Sequence, residues 1–142
     1  DFEKIIIWKI NNSTRSSANK ENGASYPSWT IPKDLSQIVY LTPIRMIYFL
    51  YSPFPWDIKQ IKHLVGLLDS LFYIYLSICI FTNLKYLLKN PQTNFLIILL
   101  LNYIFIYSFG VGNFGTGIRH RLKIIGILIA IAAPKIKKIK IL

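Results

Sequence analysis

At 142 residues, 53% hydrophobic and 15% aromatic, with positive mean hydropathy and a net charge of +11, this chain does not have the composition of a soluble domain. Ile, Leu, Phe and Tyr dominate, as suits lipid and its interfaces. A lone cysteine, Cys79, excludes a disulfide framework or a cysteine-built metal site within the chain.

Charge is unevenly placed. Residues 1–69 carry 8 basic and 6 acidic groups, and residues 70–142 carry 9 basic groups and no acid. The basic residues flank apolar runs instead of lining a polar face. That argues against a nucleic-acid partner and for anionic membrane lipid or a lipid-linked phosphate.

Residues 1–10 form a short amphipathic piece, read as the end of a helix that began upstream. The chain starts without a signal peptide's basic flank and apolar run. The expectation is the C-terminal part of a longer membrane protein, whose other helices would be its partners. Residues 11–32 are rich in Asn, Ser, Gly and Pro and read as an extramembrane loop carrying Arg15. Tyr26 and Trp29 favour its being ordered at the interface. Residues 35–52 are apolar and nearly long enough to span. Pro43 interrupts their hydrogen-bond ladder, and Arg45 places near the middle a charge that costs roughly 2.5–3.5 kcal/mol on insertion scales. An interfacial or re-entrant helix pair broken at Pro43, with Arg45 facing protein or water, reconciles both. The run SPFPWD at 52–57 reads as a rigid aromatic corner.

Residues 61–82 give the clearest transmembrane helix, close to the ~20 residues a crossing needs. His63, Gly66, Ser70, Tyr73 and Ser77 recur at spacings of 3 and 4 and form a seam expected to face other helices. Asp69 lies off that seam. It reads either as a functional ionisable group or as a helix–helix contact, with Lys62 as its expected partner. A short loop at 83–92 closes on Asn90-Pro91. Residues 94–109 form a second span whose Asn102 is expected to bond a neighbouring helix. Residues 118–133 make a probable short third helix ending before Pro134, followed by a lysine tail. If that segment crosses, the tail joins Lys85 and Lys89 on a side that the positive-inside rule makes cytoplasmic. Arg119, His120 and Arg121 then sit on the outer side, where charge sorting does not explain them.

The densest mixture of glycine and charge is GVGNFGTGIRHRLK, residues 110–123. Its G-x-G-x-x-G is not a dinucleotide fingerprint, because a membrane helix precedes it and no acid follows. The physical content that survives is a glycine turn at Gly112, Gly115 and Gly117 leading into a helix that starts near Ile118. Such a start aims N–H donors at an anion. Arg119 and Arg121 add forked donors suited to phosphate oxygens, and His120 could protonate a leaving oxygen or bond it. The plainer alternative is a tight turn whose arginines touch lipid headgroups. Arg45 is a further candidate contact, and Asp57 beside Trp56 is the preferred general base. There is no clustered His/Asp/Glu set with metal-ligand spacing, and no cofactor motif.

Taken together, GASYPSW, PIRMIYFLYSPFPWD, HLVGLLDSL and GNFGTGIRHR resemble the C-terminal end of oligosaccharide repeat-unit polymerases of the O-antigen and capsule type, over residues 1 to about 134. The resemblance implies a metal-independent enzyme of the bacterial inner membrane that joins polyprenyl-diphosphate-linked oligosaccharides. It also implies that Arg15, Arg119 and Arg121 help to hold the diphosphate. The arginine-x10-glycine pattern of some members is absent, since Tyr26 stands eleven residues after Arg15. A lipid-linked sugar flippase or a non-catalytic scaffold subunit would share much of the same pattern.

The expected architecture is all-α and membrane-embedded. Residues 1–34 form an outer loop region, and residues 35–57 an interfacial segment with its aromatic corner. Residues 58–142 hold the membrane helices, the Gly–Arg turn at 110–123 and a cationic cytoplasmic tail.

Overall fold

The computed structural model describes residues 2–18, 25–58 and 61–139. These residues form seven α-helices: α1 (Phe2–Ala18), α2 (Leu35–Tyr51), α3 (Lys62–Thr82), one-turn α4 (Leu84–Leu87), α5 (Pro91–Gly110), α6 (Phe114–Arg121) and α7 (Ile125–Ile139). Two 3₁₀ turns, Ser28–Thr30 and Pro55–Asp57, flank α2. Among the described residues there is no strand, only an isolated antiparallel bridge between Ser25 and Asn113.

Side-chain caps set several helix starts. Asp34 accepts from the Gln37 N–H and opens α2. Asn90 accepts from Gln92, with Pro91 in the first turn of α5. Asn113 accepts from Thr116 and opens α6. Each removes one of the orphan donors at a helix N-terminus, which is why Asp and Asn are favoured there. Proline at the first helical position loses no bond that the helix would have used.

α3 and α5 are long and apolar enough to cross a membrane, over His63–Thr82 and Pro91–Gly110. Only 28% and 22% of those windows are buried inside the protein, whereas the core helix of a soluble protein is mostly buried. The apolar part of α7, Ile125–Ile136, is shorter. At 1.5 Å per residue it covers roughly 18 Å of a ~30 Å hydrocarbon core.

α2 packs on α5, α3 and α6, α7 packs on α3 and α5, and α1 lies on α5. The shared core includes Phe49, Tyr73, Leu76, Leu100, Ile104, Leu128 and Ile131. The seam of α3 does turn inward. His63, Ser70 and Tyr73 are buried, and Ser77 accepts a 2.8 Å hydrogen bond from Tyr51 Oη.

Several boundaries differ from the sequence expectation. α2 is one continuous helix through Pro43, not a broken pair. Pro43 is exposed, and the helix continues through it without the ladder bond that its missing N–H would have made. Likewise α7 runs through exposed Pro134 instead of ending before it. α1 continues to Ala18, into the segment expected to be loop. Once a helix is nucleated and docked, polar residues extend it at a cost of only a few tenths of a kcal/mol each. Residues 118–133 are not one helix, because a turn at 122–124 separates α6 from α7. Asn102 is exposed and donates to the Ile98 carbonyl of its own helix, so it makes no interhelical bond here.

Candidate functional site

α2 carries Arg45 into the interior, where it is fully buried. Its Nε donates to the Ser108 carbonyl at 2.8 Å and its Nη1 to Thr30 at 2.9 Å. Nη2 donates to Val111 at 3.0 Å and to Phe109 at 3.3 Å. Three of those carbonyls lie at the C-terminal end of α5, where the last turn of a helix leaves acceptors unpaired and carries partial negative charge. Arg45 therefore caps α5. As a direct substrate contact it is displaced, because its donors point at backbone.

Arg121 is equally buried. One Nη donates to Asp69 Oδ2 at 2.8 Å, the other to the Leu50 carbonyl, and its guanidinium lies 5.1 Å from the centre of the Tyr73 ring. The ion pair joins α6 to α3, and the Leu50 bond adds the end of α2. Asp69 thus pairs with Arg121; the Lys62 side chain, its expected partner, lies outside the described set. Burial lowers the Arg121 guanidinium from its usual range, and neighbouring Asp69 pulls it back. Like Arg45, Arg121 is an internal tie, not a surface donor.

Tyr26 stands between these two arginines. Its N–H donates to the Gly112 carbonyl at 2.9 Å, extending the Ser25–Asn113 bridge. Its hydroxyl is buried, and burial pushes it up to about 12, with nearby Ser52, Arg121 and Arg45 opposing the rise. A Cβ added to Gly117 would lie 3.0 Å from that hydroxyl. Gly117 thus makes room for the Tyr26 hydroxyl, and the Gly112 carbonyl is taken by the Tyr26 N–H.

The expected donor array is also differently built. α6 begins at Phe114, not near Ile118, with Asn113 Oδ1 taking the Thr116 N–H at 2.7 Å and the Asn113 carbonyl taking Gly117. Gly115 sits half-buried inside the first turn of that helix. Around Tyr26, four polar atoms are buried without a hydrogen-bond partner: Tyr26 Oη, Ser52 Oγ, Tyr73 Oη and Arg121 Nε.

The other candidates lie on the outside of this knot. Arg119 is the one arginine left exposed among the described side chains. His120 is half-buried, with its ring tilted 4.4 Å over Tyr107, which in turn stacks on Tyr103 at 4.2 Å. Burial and Lys123 hold His120 below the ordinary histidine value. That setting disfavours the charged ring, so it favours proton acceptance or simple hydrogen bonding over the proton donation also expected of it. Asp57 is half-exposed, and its Oδ2 caps the Phe54 N–H at 3.2 Å. Beside it, Trp56 stacks on Phe54 at 4.9 Å, and Trp29 meets Tyr48 edge-on. Arg15 lies on α1, with its side chain outside the described set. Among the described residues no group of His, Cys, Asp and Glu could hold a metal ion.

The structure therefore gathers Arg45, Gly112, Gly117 and Arg121 around Tyr26 and leaves Arg119 at the surface. The sequence named Tyr26 only as an interfacial aromatic and gave no sign of its place in this knot. A legible signal for the ion pair did exist. A lone acid in an apolar run requires a cation, and Arg45 and Arg121 were among the cations bordering or inside apolar sequence. Comparison with protein-family models, with curated proteins and with solved structures returned no match.

Proposed function

We propose that this chain belongs to a multi-pass protein of the bacterial inner membrane that polymerises polyprenyl-diphosphate-linked oligosaccharide units by glycosyl transfer. In this reading α3 and α5 cross the bilayer, α7 makes a short third crossing, and α2 lies as an interfacial or re-entrant helix. The supporting observation is the way α6 is held. Two buried arginines fix the ends of α2 and α5 and anchor α6 between the apolar segments. On that anchored helix Arg119 points outward. An exposed guanidinium on an anchored helix, at the end of two span-length helices, suits a diphosphate leaving group, which needs cationic donors and no protein nucleophile. Trp29 and Trp56, 58% and 73% exposed, offer faces for sugar rings at the same protein's surface. Asp57 is the residue assigned to deprotonate the acceptor hydroxyl, with His120 in neutral form as its rival.

The test is Arg119→Gln beside Arg119→Lys in cells that depend on this protein for surface polysaccharide. Glutamine should leave single repeat units on the lipid carrier, and lysine should restore part of the chain length. Long chains of normal distribution with Arg119→Gln would refute the assignment. The Asp69–Arg121 pair, placed along a span-length helix, favours a second reading as a lipid-linked sugar transporter. A transporter variant would strand repeat units on the cytoplasmic face, where added glycosidases reach them only after inside-out vesicles are made.

A further inference from the structure

A cleft of about 320 Å³ opens between α3 and α5, away from the arginine knot. Ser77, Ile80, Leu84, Leu88, Ile97 and Leu101 are among the residues along it, with Leu50 and Tyr51 at one end. Its polar wall groups include the Tyr51 and Ser77 hydroxyls, which satisfy one another at 2.8 Å. A wall of this kind gives water nothing to bind, so the cleft stays dry. Its volume also restricts the occupant. One turn of an α-helix with its side chains is ~10 Å across and 5.4 Å tall, or roughly 400 Å³, so a further helix does not fit inside. A hydrocarbon chain does. From Ser77 to Leu84 the cleft follows α3 and its continuation for roughly 10 Å, on 1.5 Å per residue.

The position of the cleft says which lipid. It occupies the half of α3 nearer its C-terminal end and reaches α4 at Leu84 and Leu88. Next to those two leucines, Lys85 and Lys89 are exposed. Phe81, Leu88 and Leu101 on the rim are themselves exposed, so the cleft is continuous with the apolar outer faces of α3 and α5. An apolar slot whose end residues Leu84 and Leu88 are each followed in the chain by an exposed lysine matches an amphiphile with one acyl chain and an anionic head.

We infer that this cleft is a binding site for an acyl chain of an anionic phospholipid, from the leaflet on the Lys85–Lys89 side, with Lys85 and Lys89 meeting its phosphate. The inference rests on α3 and α5 crossing the bilayer, but not on any polymerase activity. The lipid is a structural ligand at the opposite end of α3 from Arg119, and it supports the Leu50 turn whose carbonyl Arg121 holds.

The test uses the full chain in nanodiscs containing phosphatidylglycerol or phosphatidylcholine, each with a photoactivatable group in the acyl chain. Cross-linked residues are mapped by mass spectrometry. Phosphatidylglycerol should label cleft residues such as Ser77, Leu84 and Ile97 above the exposed ridge residues Leu68 and Ile106. Lys85→Gln with Lys89→Gln should lower that preference over phosphatidylcholine about thirtyfold, from two surface cations each worth about 1 kcal/mol. Leu101→Trp, which fills the cleft from its rim, should abolish cleft labelling, whereas Leu99→Trp on the outer face should not. A chain that enters nanodiscs but labels only on the ridges overturns the site. Equal cleft labelling by both lipids overturns the anionic assignment. Cleft residues protected in every lipid, with chain-to-chain cross-links in their place, would mean that side chains of a second copy fill the slot. A chain that fails to enter nanodiscs would refute the membrane reading itself.

Discussion

Gly117→Ala and Tyr26→Phe should be strongly coupled, and the sign of each effect follows from one distance. Gly117 lies inside α6, with no left-handed backbone angle, so alanine fits the backbone and gains about 1 kcal/mol of helix propensity. Opposing this, the new Cβ would stand 3.0 Å from Tyr26 Oη, while its next neighbours, at 3.8 and 3.9 Å, are ordinary contacts. Tyr26 has little room to yield, since its side chain is buried and its N–H is bonded to Gly112. Overpacking of this kind costs about 1–3 kcal/mol, so Gly117→Ala alone should be neutral to about 2 kcal/mol destabilising.

Tyr26→Phe removes the clashing atom, which lies near the Ser52 hydroxyl but makes no hydrogen bond of good geometry. An unsatisfied buried hydroxyl costs about 1–3 kcal/mol, so this variant should be neutral or more stable. The double variant should then keep the alanine's helical gain without the clash, giving a coupling energy of about 1–3 kcal/mol. The assay is reversible unfolding of detergent-solubilised protein, followed by tryptophan fluorescence. Trp29 packs on Tyr48, which packs on Tyr26, so it reports on this knot. If the two substitutions add within about 0.5 kcal/mol, the steric reasoning is wrong and Gly117 serves something other than Tyr26.

Two further outcomes follow from the same knot. Asp69→Asn leaves the buried Arg121 without its counter-charge and should cost about 3 kcal/mol, whereas Asp69→Leu combined with Arg121→Met should cost less than the two single changes together; a unfolding-midpoint series in detergent decides. His120 is held below its free value of 6.5, so the unfolded chain binds the proton more readily. Stability should be level above pH 6.5 and fall as the pH drops below it, and His120→Gln should flatten that fall when melting is followed from pH 8 to pH 5.

Local signals carried much of the fold. The apolar run and the Asn90-Pro91 pair placed α3 and α5 within a few residues of their ends, and the small and polar seam of α3 identified its inward face. Both are properties of a single helix, so one stretch of sequence contains them. Pro43 and Pro134 misled because packing of the flanking turns can carry a helix through a proline, which is a tertiary fact. The start of α6 was legible in principle, as Asn113 followed three residues later by Thr116, but the glycines drew the reading away from the cap. The knot itself was not legible. Arg45 finds its acceptors 63 to 66 residues along the chain, and Arg121 finds Asp69 52 residues back. No periodicity records such a pairing. The same distance explains why the arginines looked like ligand contacts: seen without their partners, they are merely cations beside apolar runs.

The capping of α5 by Arg45 also constrains how this protein can be made. When α2 leaves the ribosome, the carbonyls of Ser108, Phe109 and Val111 have not yet been synthesised. Until α5 arrives, Arg45 has only Thr30 among these acceptors, and a charge so poorly matched does not settle into hydrocarbon. On the membrane reading proposed above, α2 would wait at the water boundary and reach its final depth only after α5 is in place, so insertion would run out of sequence order. A nascent chain stalled before Ser108 should keep a cysteine at Val39 open to aqueous thiol reagents, and release of the full chain should alter that access.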